Sequence, residues 1–309
     1  MRRHVWAALS TSLALACTQQ VSDTDAGPDA SRSDADTVDA YRAPYDGGPH
    51  FDVGTTDRPA PVLLPMGFDG TTAMPLIVLL HADGATGLVE QRLLHIGEAA
   101  STSGAMVVLP TGTQNPGSSF LLWNDGITTT TSADDVAYLG SVLDHSFAML
   151  PVDRHRVYFV GHANSAFMVY RMACAESARI TGIIAIDGGD YADSSQCTPT
   201  RAVSVLDIHG TQDAVVAYGG VAGVFAGAVE STTRWAQRAS CDTSMSHMPA
   251  AFDLDGAVAG PETTATDYIA GCTGARVSLY TMTGSGHIPG FTATAGQDMV
   301  DWLLARSSP

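Results

Sequence analysis

The chain has 309 residues, 45% of them apolar, and a formal charge of −17. That apolar share supports a sizeable core and excludes disorder throughout. All 15 basic residues are arginine and they form no patch, which excludes a nucleic-acid partner.

Residues 1–16 read as a signal peptide. MRRH is a basic start, and VWAALSTSLALA (5–16) is an apolar run too short for a stable membrane span. ALAC (14–17) fits cleavage after Ala16, and it also resembles a bacterial lipobox in which Cys17 is lipidated. The usual leucine falls one place early, at Leu13. Two destinations follow: a lipoprotein on the cell envelope, touching the membrane only through the lipid at Cys17, or a secreted protein. Residues 17–59 are rich in Asp, Ser, Thr, Ala, Gly and Pro and lack apolar periodicity. They are expected to form a disordered linker.

From residue 60 to 309 strand-like and helix-like segments alternate. Strands are expected at 60–65, 76–81, 105–110, 156–160, 181–187, 202–210 and 276–284, as short, continuously apolar runs. Helices are expected at 88–102, at 132–150 with Ser132 as N-cap, from 164, at 228–239 and at 295–306. Such strands, separated by helices, predict an α/β domain with a mostly parallel sheet covered on both faces. Four cysteines remain beyond Cys17. An even number in an exported chain predicts two disulfides, and pairing neighbours gives Cys174–Cys197 and Cys241–Cys272. No C-x-x-C or clustered Cys/His spacing occurs, so neither a metal nor an organic cofactor is expected.

Ligands collect at the C-terminal ends of strands in such sheets. Four ends carry chemistry here. LLHADGATG presents His81, Ala82 and Asp83; HGTQDAVVAYGG presents Asp213; GSGHIPG presents His287. The fourth is GHANSAFM (161–168), between a strand and a helix. That is the place of the G-x-S-x-G nucleophile turn of α/β-hydrolases, and the chain order of turn, acid and histidine is theirs too.

With these motifs the chain resembles the secreted polyhydroxybutyrate depolymerase and feruloyl esterase-like carboxylesterases, over most of residues 58–305. The resemblance rests on RPAPVLLPMGFDGTTAMPLIVLLHADGATG, WNDG (123–126), DDVAYL (134–139), GHANSAFMVYRMAC (161–174), HGTQDAVVAYGG and GSGHIPG. It implies an α/β-hydrolase fold and the same two disulfides. It implies Asp213 as the acid that orients His287, and His287 as the base. It implies an oxyanion hole from the N–H of Asn164 and one from Ala82 or Asp83. His81, Trp123, His162 and Ser165 are expected around the substrate pocket.

The same register puts Ala163 where the family has its nucleophilic serine. Ser165 stands for a glycine, Ala82 replaces another, and Asp83 brings a carboxyl beside the oxyanion hole. The expected function is a catalytically impaired, exported carboxylesterase-fold protein that still binds an ester or polysaccharide ester, small or polymeric. One alternative is an active esterase using Ser165, or water activated by His287. Another is a non-catalytic structural protein of the envelope. No protein partner is implied.

Overall fold

A computed structural model of the chain describes residues 51–115, 117 and 119–308. The signal-peptide, lipidation and most of the linker expectations lie outside the described residues. The linker expectation fails at its end, because Phe51–Thr55 is a strand with Val53 buried.

The strands are β1 (Phe51–Thr55), β2 (Arg58–Leu63), β3 (Met74–Leu80), β4 (Met106–Val108), β5 (Thr113–Gln114), β6 (Leu121–Leu122) and β7 (Val152–His162). They continue as β8 (Gly182–Ile186), β9 (Ser204–Gly210), β10 (Gly220–Val221), β11 (Phe225–Ala226), β12 (Ser246–His247), β13 (Thr263–Tyr268) and β14 (Val277–Met282). The main sheet runs β1-β2-β4-β3-β7-β8-β9-β14-β13-β12. Its middle, from β4 to β14, is parallel, and both flanks are antiparallel. Side chains along β3 and β7 alternate between two cores. Leu76, Val78, Val157 and Phe159 pack on the side of Leu139, Met168 and Trp235. Ile77, Leu79, Tyr158 and Val160 pack on the side of Ile96, Met299 and Val300. This two-faced burial is why the central strands read as unbroken apolar runs.

The helices are α1 (Gly87–Leu93), α2 (Ile96–Thr102), α3 (Asp135–Met149), α4 (Asn164–Ala175), α5 (Ala228–Arg238) and α6 (Ala295–Leu304). The single helix expected at 88–102 is broken at His95, whose φ is 54°. There Gly296 of α6 lies so close that a Cβ would meet the His95 carbonyl oxygen at 2.3 Å. Ser132 does not cap α3. Asp134 does, accepting from the Ala137 N–H at 3.0 Å, while Asp135 is drawn into an ion pair with Arg58 at 2.8 Å. Among the described residues no helix is long and apolar enough to cross a membrane.

Both disulfides have the expected pairing, Cys174–Cys197 and Cys241–Cys272, with sequence separations of 23 and 31 residues. Cross-links of that span stabilise by about 3–4 kcal/mol each in the chain-entropy account. Reductant is therefore expected to lower the urea midpoint sharply. Superimposable unfolding curves with and without reductant would refute this.

Candidate active site

β7 ends at His162 and α4 begins at Asn164, so Ala163 alone turns the chain from strand to helix. Its φ of 56° and ψ of −121° lie in a region that costs a non-glycine residue of order 1–3 kcal/mol. Neighbours hold it there. The Ala163 N–H donates to the Ile186 carbonyl, and its own carbonyl accepts from the Ala166 N–H, both at 3.0 Å. Gly161 allows the close crossing, since a Cβ there would meet the Ser165 carbonyl at 2.4 Å. The Ala163 methyl packs with Ala82 and Ala85.

Ser165 is fully buried, and its hydroxyl is committed to this turn. Oγ accepts from the His162 N–H at 2.9 Å and has the carbonyls of Leu80 (3.0 Å) and His162 (2.9 Å) for its proton. Ser165→Ala is expected to cost about 1–3 kcal/mol of stability, since it strands a buried N–H, and to leave ester hydrolysis unchanged. Denaturation curves and initial rates on the one variant check both halves.

The residues expected as acid and base meet. His287 Nδ1 lies 2.7 Å from Asp213 Oδ2, and Asp213 Oδ1 accepts from the N–H groups of Val215 (2.7 Å) and Val216 (2.8 Å). Burial opposes ionisation of Asp213. The imidazoles of His209 and His287 outweigh it and hold the carboxyl well below its ordinary range. His287 Nε2 is buried and has no protein partner.

Three further groups close in, none marked by the sequence reading. Glu90 of α1 is fully buried; its Oε2 accepts from the Ala82 N–H at 2.9 Å, and its Oε1 lies 3.5 Å from His162 Nδ1. His162 Nε2 donates to the His287 carbonyl at 2.8 Å. Asp187, just past β8 with φ 50°, lies 3.9 Å from His162 Nε2 through Oδ2, and its Oδ1 accepts from the Gly210 N–H. His209 donates from Nε2 to the Val216 carbonyl at 2.9 Å. Burial works against charge on His162, but Glu90, Asp187 and the His287 carbonyl raise its pKa to about 9. Glu90 reads from sequence as an ordinary polar helix residue. Asp187 carried the better signal, as a carboxyl at the end of a buried strand, IIAID.

The expected oxyanion loop and pocket differ from this geometry in two ways. The Ala82 N–H is already spent on Glu90, so of the two loop donors only Asp83 is left for a ligand oxygen. His81, Trp123, His162 and Ser165 do not line a surface; each is at most 1% exposed. They brace the loops instead. Trp123 Nε1 donates to the His81 carbonyl at 3.0 Å, and His81 Nε2 accepts from the Gly112 N–H at 2.9 Å. Asn164 fastens the WNDG turn to the elbow: its Oδ1 accepts from the Trp123 N–H and its Nδ2 donates to Asp125 Oδ2, each at 2.7 Å.

Asp83 is half-buried, with one carboxyl oxygen enclosed and unpartnered. Burial raises its pKa from 3.8 to about 6. A carboxyl whose folded pKa is raised contributes stability below its unfolded pKa and loses it as pH climbs through the folded one. Asp83→Asn is therefore expected to be more stable than wild type at pH 7, by about 1–2 kcal/mol once solvent screening is allowed for. The difference should vanish near pH 4. Urea melts across that range would refute it if the gap were flat.

No protein-family profile matches the chain. It is similar to feruloyl esterase B of Piromyces equi, 30% identical over 192 residues, which span 58% of this chain and 35% of that protein. The chain thus matches about a third of that relative's length. Among solved structures it is similar to acetyl xylan esterase from Aspergillus awamori, with TM-score 0.58, 13% identity, and coverage of 83% of this chain and 99% of that one. A thermostable esterase gives TM-score 0.56 at 13% identity, covering 84% of this chain and 63% of its own. At such identities these structures establish the fold, that of the α/β-hydrolases.

Proposed function

We propose that this chain, which belongs to the esterase-like α/β-hydrolases, binds an ester or polysaccharide ester beside Ala163 and hydrolyses it very slowly. The observation that carries this reading is one residue in one conformation. Ala163 holds the strained elbow, with the His287–Asp213 pair assembled and His287 Nε2 without a protein partner. A methyl group cannot attack a carbonyl, so no acyl-enzyme forms through residue 163. Asn164 and Asp83 offer backbone N–H groups toward the carbonyl oxygen of a bound ester. Ser165 is a poor substitute nucleophile, because its hydroxyl is buried in the turn. Water activated by His287 remains as a route for slow turnover.

The named activities of the similar proteins, on feruloyl and acetyl xylan esters, suggest ester groups on plant polysaccharide as the first ligands to try. The paired cysteines, the signal-like start and Cys17 support an exported protein, either lipid-anchored or secreted. Calorimetric titration with acetylated and feruloylated xylo-oligosaccharides tests the binding half. Saturable heat with little product formed is expected. No heat with any ester ligand would leave the reading without support.

A further inference from the structure

The sequence gives no metal-ligand spacing, yet the fold gathers a ligand set from three separate strand ends. We propose that His162, Asp187 and His287 form a binding site for a divalent transition-metal ion of the zinc class. One donor atom from each lies within 4.8 Å of the others, and all three side chains are buried.

The unsatisfied atoms point the same way. Asp187 Oδ2 and His287 Nε2 are enclosed and have no hydrogen-bond partner, a state that buried polar atoms rarely keep. The rear of each histidine is occupied by a carboxylate. His287 Nδ1 faces Asp213 Oδ2 at 2.7 Å, and His162 Nδ1 faces Glu90 Oε1 at 3.5 Å. Metal-binding histidines are commonly backed in this way, with the proton on the nitrogen away from the ion. Both Nε2 atoms are then the ligating ones. His162 Nε2 already lies 3.9 Å from Asp187 Oδ2 and exchanges its bond to the His287 carbonyl for the ion. Two imidazoles and one carboxylate leave coordination positions open for water or a ligand oxygen. Of the other groupings, Cys174–Asp190–Cys197 has its thiols joined in a disulfide, and Asp187–His209–Asp213 is less apt because both oxygens of Asp213 are committed to Val215, Val216 and His287.

The test reads binding directly and not through hydrolysis. Tag-free protein is stripped with chelator, dialysed and titrated with zinc chloride by calorimetry, with metal content measured on the recovered protein. One tightly held zinc per chain is expected. His287→Ala and His162→Gln should each weaken binding by about 100-fold or more, and Glu90→Gln, behind a ligand, by about 10–100-fold. His247→Ala, on an exposed histidine away from the cluster, should leave it unchanged. X-ray absorption on the wild type covers variants that fail to fold: a nitrogen and oxygen shell at about 2.0–2.1 Å with imidazole scattering is expected. No stoichiometric zinc, zinc retained by His287→Ala and His162→Gln, or a sulfur shell would each overturn the site.

Discussion

Ala163→Ser is expected to hydrolyse a short-chain chromogenic ester about 10³–10⁴-fold faster than the wild type. Losing the nucleophile of a serine hydrolase costs on the order of 10⁶ in turnover. The substitution should not recover all of that. The Ala82 N–H is bound to Glu90, which leaves Asp83 as the loop donor, and the half-buried carboxyl of that same residue opposes a developing oxyanion, at a cost comparable to one lost donor, about 10²–10³. The other parts of the proposed site are assembled: the elbow backbone at residue 163, the Asp213–His287 bond of 2.7 Å and a His287 Nε2 without a protein partner. Initial rates of chelator-stripped wild type, Ala163→Ser and Ala163→Ser/His287→Ala decide it, because a zinc ion on His287 Nε2 would occupy the base. The gain should disappear in the double variant. A single variant no faster than wild type would mean that the site lacks more than a hydroxyl.

Arg58→Ala is expected to lower stability by about 3–5 kcal/mol, the cost of leaving a buried charge without its partner. Arg58 Nη1 is 2.8 Å from Asp135 Oδ1, and the Asp135 side chain is fully buried. The same guanidinium donates twice to the Thr111 carbonyl, at 3.1 and 2.7 Å, and lies 3.6 Å from the Tyr138 ring centre. The effect should reach the elbow. Asp135 Oδ2 accepts from the Asn124 N–H at 2.7 Å, and Asn124 lies within the turn that Asn164 fastens. Arg58→Ala/Asp135→Asn should recover part of the loss, because the stranded charge is gone. Urea melts of the two variants check this; a loss under about 1 kcal/mol in Arg58→Ala would contradict it.

What could be read from the sequence was local in character. LIVLL, RVYFV and TGIIAID announced central strands because each is buried on both faces. β13, TTATDY, reads as no apolar run because it is an antiparallel strand near the sheet edge, threonine-rich and with only Thr263, Ala265 and Tyr268 buried. The polar residues at strand ends pointed to Asp213 and His287, and these two do meet. What could not be read was the work of partners far along the chain. Nothing in LVEQRLL shows that Glu90 takes the Ala82 N–H and faces His162. Nor does WNDG show that Trp123 faces inward, with its indole N–H on His81. Asp187 sat in plain view at a strand end, but its three histidine neighbours come from β7, β9 and the loop after β14.

The proposal that Ala163 takes the nucleophile's place is tested most directly by covalent labelling. Wild type and Ala163→Ser are treated with a fluorophosphonate that reacts with activated serines, and intact masses and peptides are measured. The wild type should carry no adduct, and the variant one, on the peptide that holds position 163. An adduct on the wild type, at Ser165 or any other serine, would show a working nucleophile and contradict the account.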